Sequence, residues 1–75
     1  MLKHTVENLL IDAFPGGKIE VHTDDNVHFS AGIHAPQFKG LSRVQQQQKV
    51  YAVLGALISS GELHAISLNT QVLEP

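Results

Sequence analysis

Histidine is the residue type through which this chain is best equipped to do chemistry. The sequence contains five histidines, at positions 4, 22, 28, 34 and 64, and no cysteine. Imidazole is therefore its only soft-to-borderline metal ligand, and disulfides and thiolate sites are excluded. The sequence shows no nucleophile–base pair in a recognisable motif and no phosphate-binding loop, so we expect no enzymatic activity. The histidines are widely spaced, so the fold must decide which of them meet.

Hydrophobic patterning places three of the histidines on a hairpin. Apolar residues at i, i+3, i+4, i+7 and i+8 predict a helix over Thr5 to Phe14, ended by Pro15-Gly16-Gly17. Leu2 extends the apolar stripe one turn back, so an earlier start is the alternative. Alternating runs predict strands over Lys18 to Thr23 and over Val27 to Ile33, with Val27 facing inward and an Asp-Asp-Asn turn between them. The outward face of this hairpin would carry His22, His28 and His34.

A long helix and a third strand are predicted for the second half of the chain. Ser42, with Gln45 three residues later, has the form of a capping box at the start of a helix over Val44 to Ser60. Gly61 would end this helix, and Leu63 to Asn69 would form the strand. The residues of this helix expected in the core are Val50, Tyr51, Leu54 and Leu57.

The element order is α-β-β-α-(α)-β, where the bracketed helix is a short helix or turn before the main one. This order predicts an α+β fold with a three-stranded sheet and helices on one face, in a single domain over residues 1–75. His64 would share a face of the third strand with Ile66 and Leu68. On such an apolar face it could simply be a core histidine bonded to a backbone group.

Composition excludes several functional classes. The net charge of −2 lacks the basic surplus of a non-specific nucleic-acid binder. The most apolar stretch, Val50 to Ile58, is about nine residues long, whereas a membrane span needs roughly 20. The first residues lack the apolar run of a signal peptide. We therefore expect no membrane association, and the absence of cysteine in so small a domain favours a cytoplasmic location.

Two segments resemble motifs of the BolA family. Phe38-Lys-Gly-Leu-Ser-Arg-Val-Gln-Gln-Gln-Gln-Lys-Val-Tyr51 is similar to the family's Phe-x-Gly, polar run and helix opening into Val-Tyr. Leu63-His-Ala-Ile-Ser-Leu68 is similar to its Ile-His-Ala-Leu motif. The details around Ser42-Arg-Val and Gln47-Gln-Lys-Val-Tyr51 are closest to the IbaG (YrbA) branch of bacterial BolA-like proteins. The resemblance covers nearly the whole chain.

The resemblance implies a class II KH-like fold with a helix-turn-helix-like segment. It also implies a monothiol glutaredoxin as partner, with which many members share a glutathione-dependent [2Fe-2S] cluster in iron–sulfur trafficking or iron sensing. His64 and His28 match the family's ligand positions, with His22 as a less favoured substitute for His28. Two imidazoles on one iron are chemically reasonable, as in Rieske centres. Alone, the chain would carry no cofactor and would be a monomer or a weak homodimer.

A nucleic-acid-binding transcription regulator is the alternative that the resemblance allows. The helix-turn-helix-like segment from Leu41 to Ser60 would then face DNA, and glutamine can hydrogen-bond adenine through two contacts. Lys39, Arg43 and Lys49 are its only nearby cations, so we expect few phosphate contacts and weak DNA binding. The candidate contact residues for this alternative are Arg43, Gln46, Gln47 and Lys49.

Overall fold

The computed structural model describes residues 2–74. It contains, in order, α1 (Leu2–Ala13), β1 (Lys18–Thr23), β2 (Phe29–Ala35), a 3₁₀ turn (Pro36–Phe38), α2 (Arg43–Ser60) and β3 (Ile66–Val72). The strand order is β1-β2-β3, with β1 antiparallel and β3 parallel to the central strand. The predicted α+β fold with a three-stranded sheet is confirmed.

One hydrophobic core lies between the helices and one face of the sheet. Alternate residues of β2 point into it, and α1 and α2 each contribute one apolar stripe. The opposite face of the sheet carries polar side chains, such as Glu20, Ser30 and Asn69, and within residues 2–74 no helix covers it. The fully buried large apolar side chains are Val6, Leu10, Phe14, Ile33, Phe38, Val50, Leu54 and Leu63.

The Phe-x-Gly segment has a clear structural role at the end of the 3₁₀ turn. Phe38 is fully buried, and its ring centroid lies 5.1 Å from that of Phe14. Gly40 has a φ of +83°, a left-handed conformation that glycine adopts without steric cost. The turn is closed by the N–H of Leu41, which donates to the Phe38 carbonyl at 3.0 Å. The motif therefore anchors the chain in the core and turns it towards α2.

Both ends of α2 are capped as predicted. The Ser42 hydroxyl accepts from the N–H of Gln45 at 3.2 Å, and the Ser42 N–H donates to the Gln45 side chain at 2.9 Å. Gly61 ends the helix at a φ of +82°. These contacts satisfy backbone groups that the helix itself cannot pair.

Replacing Ser42 by alanine is expected to lower the free energy of unfolding by about 1 kcal/mol, because the cap acceptor is lost. Urea unfolding followed by circular dichroism measures this change. Ser59→Ala, in the last turn of the same helix, is the control and should change stability by less than about 0.5 kcal/mol. Equal effects from the two substitutions would contradict the role given to the cap.

The start of β2 and the burial of two side chains differ from the prediction. β2 begins at Phe29 rather than at Val27, and Val27 is 51% exposed. The reason is that the N–H groups of Val27 and His28 are taken by the Asp25 carboxylate and are not free to pair with a neighbouring strand. Tyr51, expected in the core, is 41% exposed.

The third strand begins at Ile66 rather than at Leu63. Leu63 is fully buried, and its N–H donates to the carbonyl of Leu57 at 3.1 Å, which ties it to the end of α2. Within residues 41–60 the chain forms a single helix, α2. The 3₁₀ turn at Pro36–Phe38 is all that corresponds to the optional short helix.

Candidate metal-ligand site

His64 lies in the connection between α2 and β3. Its neighbours Leu63 and Ile66 are both buried, whereas the His64 side chain is exposed. It therefore does not belong to the strand, so that expectation is wrong, and it is not the core histidine that the alternative interpretation allowed. The buried residues on either side fix the backbone while the imidazole remains accessible. His64 lines a groove whose other wall is α2.

His28 lies in the β1–β2 connection, one residue before β2 begins. Its Nδ1 is 2.8 Å from Oδ2 of Asp25, and its side chain is 88% exposed. In the neutral imidazole an N–H at Nδ1 donates to the carboxylate, which leaves the lone pair on Nε2. This arrangement resembles the carboxylate–histidine pairs of metal sites, in which the carboxylate fixes the tautomer and ring orientation.

Asp25 organises this loop through three hydrogen bonds. Its Oδ1 accepts from the backbone N–H of His28 at 2.8 Å and from that of Val27 at 2.9 Å, and its Oδ2 faces the His28 ring. The His28 backbone N–H, then the His28 ring and the Val27 N–H, hold the pKa of the Asp25 carboxyl well below its usual range. The sequence placed Asp25 in the turn between the two strands and did not predict its pairing with His28. The available signal was an aspartate three residues before a candidate ligand.

The sheet places His28 and His64 at the same end, where β2 and β3 begin. Phe29 and Ile66 are register partners in the parallel β2–β3 pair, so the two histidines precede adjacent strands at one end of the sheet. They line different concavities, however. His28 lies beside His22 and Ser30, whereas His64 lies against α2.

The described part of the chain does not form a complete metal site by itself. Among residues 2–74, no group of three or more His, Asp or Glu side chains is arranged to hold a metal ion. The two accessible imidazoles could supply two of the four protein or thiol ligands of an iron site. A partner molecule would supply the other two. This donor set is compatible with a shared metal centre.

The other histidines have separate environments. His22 is 70% exposed, and its Nε2 is 3.6 Å from Oε2 of Glu20. It lines the same concavity as His28. His4 is exposed on α1, and His34 is half-buried on the open face of the sheet, opposite Lys18.

The candidate nucleic-acid contacts on α2 do not form one surface. Arg43 and Lys49 are exposed and Gln47 is half-buried, but Gln46 is only 6% exposed. The Gln46 amide donates to the carbonyl of Leu41 at 3.0 Å. Its side chain is therefore not available to a base, which corrects the prediction for Gln46 and leaves Arg43, Gln47 and Lys49 for that alternative.

The helices have no membrane-spanning character. Neither α1 nor α2, the two α-helices within residues 2–74, is long and apolar enough to cross a bilayer.

Comparison with known proteins assigns the family. A family model described as BolA-like protein matches residues 6–74. The chain is 31% identical over 68 residues to the acid stress protein IbaG of Escherichia coli K12, which covers 91% of this chain and 80% of that protein. An uncharacterised protein of Haemophilus influenzae is 40% identical over 50 residues, 67% of this chain but only 59% of that relative.

A solved structure has the same fold. The BolA domain of SufE1 from Arabidopsis thaliana superposes with a TM-score of 0.85 at 24% identity, covering 95% of this chain and 91% of that one. The region matched by the family model, residues 6–74, contains the Phe38-x-Gly40 turn, the β1–β2 loop with His28, and His64 before β3. This chain therefore belongs to the BolA-like protein family and is similar to IbaG.

Proposed function

We propose that this protein is the partner of a monothiol glutaredoxin and shares a glutathione-dependent [2Fe-2S] cluster with it, in iron–sulfur trafficking or iron sensing. The observation that carries the proposal is the pair of exposed imidazoles, His28 and His64, at one end of the sheet. His28 in addition has its Nδ1 bound to a carboxylate, so Nε2 is the nitrogen available to a metal.

The ligand count explains why a partner is required. His28 and His64 would hold one iron of the cluster, while the partner's cysteine and the glutathione thiol would hold the other. Two neutral imidazoles replacing two thiolates leave a less anionic cluster, which raises its reduction potential. The chain has no cysteine with which to complete the set.

Histidine ligation suits a cluster that is passed on or sensed rather than permanently kept. A ligand histidine must be neutral, so protonation competes with metal binding. One of the two ligands, His28, lies in a loop that is exposed from Asp24 to His28.

The test is reconstitution of the complex. The purified chain is mixed with a monothiol glutaredoxin, glutathione, ferrous iron and sulfide without oxygen, and visible circular dichroism and native mass spectrometry are recorded. We expect a 1:1 heterodimer holding one [2Fe-2S] cluster, with a spectrum distinct from that of the glutaredoxin homodimer. A spectrum identical to the homodimer's, with no heterodimer mass, would refute the proposed function.

Asp25 is expected to act as a positioning residue for His28. Asp25→Ala removes the acceptor that fixes the ring, so we expect the neutral imidazole to redistribute between its two tautomers and the heterodimer cluster to decay several-fold faster. Nitrogen-15 NMR of the His28 side chain measures the tautomer, a readout that general loosening of the loop would not shift selectively. Asp24→Ala is the matched control, since no hydrogen bond of Asp24 to His28 is seen in residues 2–74.

A further inference from the structure

His64 differs from His28 in the way its imidazole is held. The His28 ring is bound at Nδ1 to the Asp25 carboxylate at 2.8 Å. Within residues 2–74 the His64 ring makes no hydrogen bond and no ion pair, and its side chain is exposed. The direction in which the His64 ring leaves the protein therefore depends on its backbone, and the contacts of the neighbouring residues set that direction.

The residue before His64 is fixed to the C-terminal end of α2. Leu63 is fully buried, and its backbone N–H donates to the carbonyl of Leu57 at 3.1 Å. This contact holds the chain directly after it has left the helix at Gly61, which has a left-handed φ of +82°. One side of the His64 backbone is thus anchored to the helix.

The residue two positions after His64 is fixed to the middle of α2 by Tyr51. The Tyr51 hydroxyl donates to the carbonyl of Ile66 at 3.1 Å. The N–H of Leu73 donates to Ala35 of β2, so alternation along β3 places the Ile66 carbonyl on the outer edge of the sheet, where none of the described strands pairs with it. Ile66 is only 5% exposed, so the hydroxyl satisfies an acceptor that water reaches poorly.

We propose that Tyr51 is a positioning residue for His64, and that its bond to Ile66 sets the direction in which the imidazole is presented. The inference rests on the proposed function, in which His64 is a ligand. Leu63 and Ile66 are both held by α2, so only His64 and Ala65 lie between the two anchors. So short a span between fixed ends has little conformational freedom left to lose when the ring binds a metal.

This arrangement leaves both ring nitrogens of His64 accessible. A hydrogen bond at one nitrogen would fix the tautomer, as the carboxylate of Asp25 does for His28. His64 is held through its backbone instead, so either nitrogen can carry the lone pair that a metal needs. The two candidate ligands are therefore positioned differently: His28 by a bond to its ring, and His64 by bonds to its chain neighbours.

Tyr51→Phe tests the inference in the metal-free chain, because it removes the hydroxyl and keeps the aromatic ring. Nitrogen-15 relaxation measures the order of the backbone amides of His64 and Ala65. We expect their order parameters to fall from about 0.85, the value of a rigid backbone, to below about 0.7. Incorporation of 4-aminophenylalanine at position 51 restores a donor for the Ile66 carbonyl and should return the original values.

Ser60→Ala is the matched control. The Ser60 hydroxyl donates to the carbonyl of Leu57 at 3.0 Å, the same kind of bond from the same helix, but it does not connect α2 with β3. We expect the order parameters of His64 and Ala65 to remain unchanged in this variant. Each substitution should lower Tm by less than roughly 8 °C, the effect of one hydrogen bond in a domain of this size. Comparable Tm values would exclude general loosening as the cause.

The second readout is the cluster of the reconstituted heterodimer with a monothiol glutaredoxin. In Tyr51→Phe we expect the visible circular dichroism bands to shift and the cluster to decay several-fold faster, because a less ordered ligand loses more entropy in the bonding geometry. The 4-aminophenylalanine variant and Ser60→Ala should keep the original spectrum, with decay within about twofold of the original chain.

The outcomes separate this inference from the proposed function. If the order parameters of His64 and Ala65 are unchanged in Tyr51→Phe, or fall equally in Ser60→Ala, Tyr51 does not position the ligand and only the inference is refuted. The inference is likewise refuted if the order falls but the heterodimer cluster keeps its spectrum and lifetime. If the original chain forms no heterodimer at all, the proposed function and the inference both fail.

Discussion

His64→Ala is expected to abolish the heterodimer's characteristic spectrum in the reconstitution with a monothiol glutaredoxin, glutathione, iron and sulfide. Alanine has no ligand atom, and the chain holds no cysteine to replace the lost imidazole. The exposed position of His64 between buried Leu63 and Ile66 means that the substitution removes little packing. Visible circular dichroism should return to the glutaredoxin homodimer spectrum, and cluster bound to the heterodimer should fall at least tenfold.

His4→Ala is the matched control for this prediction, because His4 is an exposed histidine on α1 that lines neither the concavity of His28 nor that of His64. It should leave the heterodimer spectrum unchanged. Far-ultraviolet circular dichroism of both variants checks that the fold is retained. An unchanged heterodimer spectrum in His64→Ala would remove His64 from the site, whatever the behaviour of His28.

Phe38→Ala is expected to have the largest effect on stability. Phe38 is fully buried and packs against Phe14, and truncation of a buried phenylalanine to alanine typically costs about 3–5 kcal/mol. At roughly 0.05–0.15 kcal/mol per residue, a domain of this size has about 4 to 11 kcal/mol in total. The substitution therefore removes a large share of the stability, and we expect a partly unfolded protein at 25 °C. Urea unfolding measures the difference.

Two further variants keep this prediction testable. Phe38→Leu retains most of the apolar volume and should lose less than Phe38→Ala, so a measurable unfolding transition is expected even where the alanine variant has none. Ile11→Ala removes an apolar side chain that is 54% exposed on α1 and should change stability by less than about 0.5 kcal/mol. Equal effects at Phe38 and Ile11 would show that the Phe-x-Gly segment is not part of the core.

Local sequence signals determined the ends of α2 and the strand β1. The Ser42–Gln45 capping box and the left-handed Gly61 act within a few residues, so their hydrogen bonds can be predicted without knowing the rest of the fold. The Lys18–Thr23 strand was predicted with the bounds that the structure has, because alternation and the flanking turn residues agree there. The family motifs supplied the two candidate ligands, His28 and His64.

The helical face of α2 shows why burial was harder to predict. Gln46 lies four residues before Val50 and eight before Leu54, on the same stripe, and it is buried despite its polar side chain. Its amide is satisfied by the carbonyl of Leu41, a partner that exists only once the chain has turned at Gly40. Tyr51 lies about 100° round the helix from Val50 and so points along the flank towards β3.

The sequence by itself determined the order of the helices and strands, the caps of α2 and which histidines are candidate ligands. These features follow from side-chain type and from spacing over a few residues. Only the tertiary structure decided that His28 and His64 lie at the same end of the sheet. Their proximity depends on the parallel pairing of Phe29 with Ile66, 37 positions further along the chain. It likewise decided that a groove lined by uncharged residues of α2 flanks His64. These features arise from contacts between distant segments, which local patterns do not encode.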